Sequence, residues 1–308
     1  MKICSSLALL LTLSALGCSD VMAGSSAARL EADSDPFGTY AFGNSVTLSE
    51  LVRLAEDGNA ISQYVLGNEY MYAEDRSFRD LDLAILWFDK SANQGYLRAQ
   101  KDLAMIYTPK FGEKPEAEKS FYWSLKAAEQ GDAYSQLQVS NAYIFGEGVG
   151  QDFSESLFWL RTSALNGEDE AQRILGVRYF EGNVEFKGNV VRQDRHEALY
   201  WLEKSAAQGN YDAEVEVVRI LYLYSAGDVS KDHAKAFRLA RSYVDNNSVS
   251  HDSTLYYILG EMYQYGRGTR QDISKAKESY RLSCDDGGKA GCDKYRSPSQ
   301  ILCNCHLD

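Results

Sequence analysis

The chain repeats itself at an interval of 36 to 42 residues. Its four Trp residues stand at positions 87, 123, 159 and 201, and a Gly follows each of them eight residues later. After each Gly, a small residue, an aliphatic residue and, in most copies, a Tyr succeed one another at steps of four. Steps of four place side chains on one face of a helix. Self-similarity of this length therefore predicts a stacked array of short helices.

The second helix of each repeat has its own start signal. An Asp precedes a small residue by four positions at residues 80, 152, 194, 232 and 272. Asp152 with Glu155, and Asp194 with Glu197, have the spacing of a capping box, so we expect these Asp side chains to accept the first free amides of their helices. The Gly that closes each copy can take the left-handed conformation that ends a helix. The sequence thus predicts an all-α fold of about six helix-turn-helix repeats of 36–42 residues.

Composition narrows the class of partner. The 308 residues include 32 Lys and Arg against 44 Asp and Glu, which gives a net charge of −12. Nucleic acids and anionic membrane surfaces are bound by clustered cations, so we expect neither as the main partner. Hydrophobic residues make up 44% of the chain, which is too many for general disorder. The four His show no paired ligand spacing, and we expect no metal and no cofactor.

The N-terminus has the pattern of an export signal. Met1-Lys2 is followed by a mostly apolar run from Ile3 to Leu16, which is too short to span a bilayer as a mature helix. Two processing routes remain open. Signal peptidase could cleave after Val21-Met22-Ala23, or Cys18 could be lipidated, because Ala15-Leu16-Gly17-Cys18 resembles a lipobox. We expect an exported protein in the periplasm, on the outer membrane as a lipoprotein, or secreted, in each case without a membrane span.

These signals predict the domain organisation. Residues 1–23 form the signal peptide, or residues 1–17 if Cys18 is lipidated. Residues 24–46 are an N-terminal linker, residues 47–296 are the repeat array, and residues 297–308 are a C-terminal tail.

Four Cys lie near the C-terminus of the mature domain, at positions 284, 292, 303 and 305. An even number of Cys in an exported chain predicts disulfides, whose pairing the count leaves open. The segment Cys303-Asn304-Cys305-His306 has potential metal ligands but lacks a matching second pair, which favours the disulfide interpretation.

Several motifs recur together and identify a family. The first helices contain Leu66-Gly67-Asn68-Glu69-Tyr70 and its counterparts ending at Tyr179 and Tyr263, and a second helix ends Trp201-Leu-Glu-Lys-Ser-Ala-Ala-Gln-Gly209. With the Gly-x-Gly loops between paired helices, these motifs resemble the Sel-one-like repeats (SLR), a branch of the tetratricopeptide-like solenoids. The resemblance covers residues 49 to 295 and implies a right-handed superhelical solenoid. It also implies a disulfide between Cys284 and Cys292, as in the cysteine-rich SLR proteins.

The resemblance further implies a non-catalytic scaffold or adaptor in the bacterial envelope, which binds an envelope or host protein on the concave surface lined by the first helices. Positions that vary between repeats are the candidates for recognition, because the repeated positions build the scaffold. The predicted binding residues lie in the two positions before each Tyr, or before Leu221 in the fifth repeat: Asn68, Glu69, Asn141, Arg178, Arg219 and Glu261. The long loop of the fourth repeat, Asn183 to Arg192 with Phe186, is a second candidate.

A different class of function remains as the alternative. Ser274-Lys-Ala-Lys277 matches the Ser-x-x-Lys of penicillin-recognising enzymes, although the Lys-Thr-Gly and Ser-Asp-Asn partners are missing. Some cysteine-rich SLR proteins have been associated with penicillin binding or weak β-lactam hydrolysis. The alternative is therefore a penicillin- or peptidoglycan-binding protein, or a weak β-lactamase, with Ser274 as its nucleophile. We favour a solvated helix face at this position.

Overall fold

The computed structural model describes residues 47–73, 76–109, 114–182, 191–223, 232–246 and 253–297. The predicted signal with Cys18, the linker, residues 183–190 of the long loop, and Cys303 and Cys305 lie outside these ranges. Contacts divide the chain into two units, Met1–Gln130 and Gly131–Asp308.

The described part of the first unit consists of five α-helices and one short 3₁₀ turn, Arg76–Phe78. Each helix packs against the one before it in the chain. The helices are α1 (Leu48–Glu56), α2 (Ala60–Tyr72), α3 (Leu81–Asn93), α4 (Leu97–Ile106) and α5 (Ala117–Glu129). Trp87 packs with Leu51 and Leu66 in one core cluster, and Trp123 packs with Phe88 and Leu103 in the next.

The described part of the second unit consists of nine α-helices, which also pack in consecutive order. They are α6 (Ala133–Phe145), α7 (Phe153–Leu165), α8 (Asp169–Glu181), α9 (Arg195–Ala207), α10 (Tyr211–Leu223), α11 (His233–Asn246), α12 (Ser253–Tyr265), α13 (Ile273–Asp285) and α14 (Lys289–Arg296). The prediction of an all-α fold built from about six helix-turn-helix repeats is confirmed.

The repeated small residues lie in the core between packed helices. Ala99, Ala171, Ala198 and Ala213 are fully buried. The burial of the four repeated Trp residues is less uniform, because Trp87, Trp123 and Trp201 are buried whereas Trp159 is partly exposed.

The helix ends follow the predicted signals. The carboxylate of Asp152 accepts hydrogen bonds from the amides of Ser154 and Glu155 at 2.9 and 3.1 Å, and Asp194 caps α9 in the same way. Gly95 after α3 and Gly167 after α7 have φ of +88° and +100°, which L side chains rarely adopt. These caps satisfy backbone groups that would otherwise lack a partner at each helix end.

None of the helices in the described ranges is long and apolar enough to cross a bilayer.

Candidate binding surface on the first helices

Two registers near the end of each first helix differ in burial. We call them row one and row two. Row one consists of Asn68 and Met105 in the first unit, and of Asn141, Val177, Arg219 and Glu261 in the second. Row two consists of the next residue in each helix: Glu69, Ile106, Ala142, Arg178, Ile220 and Met262. Every row-one side chain is at least partly exposed, whereas Ile106, Ile220 and Met262 of row two are buried. Row one is therefore the more accessible register.

In the first unit, Asn68 belongs to a polar group that joins α2 to α4. Its side chain is hydrogen-bonded to Tyr64, and the Tyr64 hydroxyl is also hydrogen-bonded to the carboxyl group of Asp102. Burial raises the pKa of Asp102 above its ordinary value. Glu69 is partly exposed, and Met105 is 57% exposed. Met105 occupies the same register as Asn68. This shared position in the repeat is the sequence feature that indicates Met105 as a further surface residue.

In the second unit, Arg219 is held against α8 and its own helix. Its Nε donates to Glu216 at 2.9 Å, and its guanidinium carbon lies 5.6 Å from the centroid of the Phe180 ring. Asn141 lies on α6 and is partly exposed. Arg219 thus presents a partly neutralised charge, while Asn141 presents an uncharged amide.

Glu261 on α12 is engaged by tyrosine hydroxyls of the same unit. Tyr257 donates to its Oε1 at 3.0 Å, and Tyr222 is hydrogen-bonded to the same carboxylate. The Tyr222 hydroxyl also accepts a hydrogen bond from Nη1 of Arg267 at 3.0 Å. Burial, together with the charge of Glu261, raises the pKa of Tyr222 to about 12. Glu261 therefore joins α12 to α10, in addition to its place in row one.

Arg178 in row two has a different environment from the other candidates. Its side chain is partly buried, and burial lowers the pKa of its guanidinium below the ordinary value, against the opposing charge of Glu181. The guanidinium forms no hydrogen bond or ion pair with any residue in the described ranges.

The repeated Gln of the first helices has a structural role. Gln63, Gln100 and Gln172 are buried, and each donates its Nε2 at 3.0 Å to a backbone carbonyl at the end of the preceding second helix. Each Oε1 accepts from a Gln at the end of the second helix of the same repeat. The recurrence of this Gln between repeats agrees with the expectation that repeated positions build the scaffold.

The C-terminal pair implied by the resemblance is present. Cys284 and Cys292 form a disulfide that joins α13 to α14. Cys284 occupies the register of Ala164 and Ala206, but it is only partly buried whereas both alanines are buried. Ser283 takes the fully buried place beside it and donates to the carbonyl of Ser253 at 2.6 Å.

Other groups with possible chemistry are dispersed. No cluster of three or more His, Cys, Asp or Glu side chains in the described ranges could hold a metal ion. Ser274 and Lys277 are both exposed on α13.

Comparison with known proteins identifies the repeats. The Sel1 repeat matches six segments, residues 60–96, 97–132, 133–168, 169–210, 220–242 and 255–288. The fold is similar to the crystal structure of a protective antigen present in uropathogenic Escherichia coli strains, which displays an SLR fold, with a TM-score of 0.67 and 26% identity. That match covers 85% of this chain and 54% of the E. coli protein, so the chain spans about half its length.

A second solved structure, a Sel1 repeat protein from Oxalobacter formigenes, is similar in fold with a TM-score of 0.59 and 23% identity, over 84% of this chain and 73% of that one. No functionally curated protein is significantly similar to the chain in sequence.

Proposed function

Because the chain belongs to the Sel1 repeat family, we propose that it is an exported, non-catalytic scaffold that binds a protein partner through row one of its first helices. SLR repeats typically bind proteins, and a helical repeat array presents a series of equivalent positions to a partner. The proposal places recognition in the second unit on Asn141, Val177, Arg219 and Glu261.

The observation that carries this proposal is the contrast between row one and the scaffold on the same helices. In the second unit, row one presents an amide, an aliphatic, a cationic and an anionic side chain, all partly exposed. The core residues Ala171 and Leu175 of the same helix as Val177 are fully buried, and a small residue and an aliphatic residue recur at their positions in the other repeats. Chemical variety at an accessible register is what distinguishes one partner from another.

Two features support export. The disulfide between Cys284 and Cys292 is typical of an oxidising compartment such as the periplasm or the cell exterior. The apolar run from Ile3 to Leu16 has the composition of a secretory signal. Mass spectrometry of the mature N-terminus distinguishes cleavage before Gly24 from lipidation at Cys18.

Site-specific photo-crosslinking tests the binding surface. A photoreactive amino acid replaces Asn141 in row one, and in a matched protein it replaces Arg238, which is exposed on the second helix α11. In the producing cells, we expect position 141 to capture a defined protein and position 238 to capture none. Equal capture at the two positions, or capture at 238 alone, contradicts the assignment of row one.

The absence of catalysis is tested with a fluorescent penicillin. We expect no covalent adduct that depends on Ser274, so the wild-type protein and the variant Ser274→Ala should label equally at background. A Ser274-dependent adduct would instead support the penicillin-recognising alternative.

A further inference from the structure

Arg178 differs from the two other arginines of α8 and α10. Arg173 donates from Nε and Nη2 to the carboxylate of Glu170 at 2.8 and 2.6 Å. Arg219 forms the same kind of pair with Glu216. Within the described ranges, Arg178 alone of these three has no carboxylate within hydrogen-bonding distance.

The register of Arg178 explains why the absence of a paired carboxylate is energetically costly. Row two is occupied by Ile220 in α10 and Met262 in α12, and both side chains are completely buried. Arg178 therefore places a cation at a register that is aliphatic and buried in α10 and α12, and that is occupied by the partly exposed Ala142 in α6. Removing a charge from water without pairing it is unfavourable, whereas an apolar side chain at such a position is stabilising.

A partner can supply a carboxylate to pair with the Arg178 guanidinium, which no carboxylate of the described ranges contacts within hydrogen-bonding distance. The planar guanidinium matches a carboxylate in a bidentate geometry, and desolvation strengthens such a pair. Val177 in row one precedes Arg178 directly, so a segment that contacts row one comes within reach of the guanidinium. We propose that Arg178 binds one carboxylate side chain, Asp or Glu, of a peptide segment seated on row one. This inference rests on the proposed function and specifies the partner's chemistry.

The surroundings restrict the segment further. Glu181 lies one helical turn after Arg178, and the chain as a whole has a net charge of −12. Long-range repulsion therefore disfavours a segment with several acidic residues. A single carboxylate among neutral or basic residues fits both the local cation and the overall charge.

Peptide selection on the purified full chain provides the test. A library of random twelve-residue peptides is selected against the wild-type protein, and each Asp or Glu of the selected peptides is then replaced by Asn or Gln. We expect one acidic position in each peptide whose replacement weakens binding to the wild type at least about tenfold, but less than about twofold in Arg178→Met. Arg238→Met serves as the matched control and should behave like the wild type.

The same variants separate this inference from the proposed function. Peptides that lose binding in Asn141→Arg but bind Arg178→Met and the wild type equally overturn the role of Arg178 and leave row one in place. Peptides that are insensitive to both substitutions, or a selection that yields none, overturn both.

Thermal unfolding distinguishes the proposed binding role of Arg178 from a structural role, because the two roles predict opposite changes in Tm. Because Arg178→Met places an aliphatic side chain at a register that is aliphatic in α10 and α12, we expect Tm to rise by about 2 °C or more. A fall in Tm would mean that the Arg178 guanidinium stabilises the folded chain through a partner within the chain. This result would overturn the proposal.

Discussion

The side-chain amides of Gln172 and Gln208 are hydrogen-bonded to each other, with Nε2 of Gln208 3.0 Å from Oε1 of Gln172. Gln172 uses its own Nε2 to donate to the carbonyl of Ala164 at the end of α7, so the two amides connect three consecutive helices. Gln172 is buried, and a buried polar group is costly to leave unpaired, which makes Gln172 the sensitive member of the pair.

Removing the side chain of Gln172, the central member of this series of hydrogen bonds, should destabilise the second unit. In Gln172→Ala, the Ala164 carbonyl and the Gln208 amide both lose a partner, and we expect the free energy of unfolding to fall by about 2 kcal/mol. Gln208 is exposed, so water can replace its contacts, and Gln208→Ala should cost about half as much. Urea denaturation measures both. An equal loss in the two variants would contradict this account.

A buried hydroxyl without a partner predicts a stabilising substitution. Ser62 on α2 is completely buried, and its Oγ has no hydrogen-bond partner in the described ranges. The residue in the same register of α4 is Ala99. Ser62→Ala should therefore raise the free energy of unfolding by about 1 kcal/mol.

Ser135 is the matched control for Ser62. It occupies the same register of α6, but its Oγ donates to Asp132 at 2.7 Å. Ser135→Ala should lower stability in calorimetry, and a gain in this variant comparable to that of Ser62→Ala would refute the role of the unpaired hydroxyl.

The helical glycines mark the closest approach of paired helices. A Cβ at Gly176 would lie 2.7 Å from Cγ of Leu202 and 3.0 Å from the carbonyl oxygen of Ala198. Alanine gains about 1 kcal/mol over glycine in helix propensity, but overpacking of this kind costs about 1–3 kcal/mol. We expect the clash to dominate, so that Gly176→Ala lowers Tm.

Gly150 provides the comparison for Gly176. A Cβ there meets no atom within 4 Å, and Gly150 is not among the glycines with positive φ. Gly150→Ala should leave Tm nearly unchanged. If Gly176→Ala were equally neutral, the helices of the fourth repeat would be less tightly packed than the distances indicate.

The disulfide should mainly hold the last helix. Closing a loop with a sequence separation of 8 contributes about 2 kcal/mol through the loss of chain entropy in the unfolded state. In Cys284→Ala with Cys292→Ala, we expect faster amide hydrogen exchange in α14 and unchanged exchange in α8. Unchanged protection of α14 would show that packing against α13 is sufficient without the bridge.

Asp102 makes stability depend on pH. Burial raises the pKa of Asp102 in the folded protein, while Tyr64 and nearby cations oppose this shift. The folded state therefore binds the proton more tightly than the unfolded state, whose Asp has a pKa of about 3.9. The contribution of this group is greatest below that value and is lost as the pH rises through the raised folded pKa.

Asp102→Asn removes this titration. We expect the variant to be more stable than the wild type at pH 7 and nearly equal to it at pH 3, as measured by urea denaturation at both values. A variant that is less stable at pH 7 would mean that the charged carboxylate contributes favourably through Tyr64.

Much of the fold could be predicted because the same residue pattern recurs from repeat to repeat. The Asp caps, the small residues and the glycines each depend on contacts within one or two helices, so their spacing in the sequence is sufficient. The burial of the four repeated Trp residues was less predictable, because Trp159 has the register of Trp87 but is less completely covered. The candidate site was predictable only as a set of variable positions.

The sequence by itself determined the repeat, the helix boundaries and the register of the core, since these follow from periodicity and local capping. Only the tertiary structure decided which variable side chains are already engaged. Glu261 and Asn68 are hydrogen-bonded within the chain, Arg219 is paired with Glu216, and Arg178 has no partner in the described ranges. Glu216, Tyr257 and Tyr64 lie on the same helices as the residues they engage, so spacing along one helix allows these contacts without specifying them. Tyr222 of α10 reaches Glu261 of α12 only after the helices pack, and the burial of Arg178 likewise arises from packing that spacing along one helix does not encode.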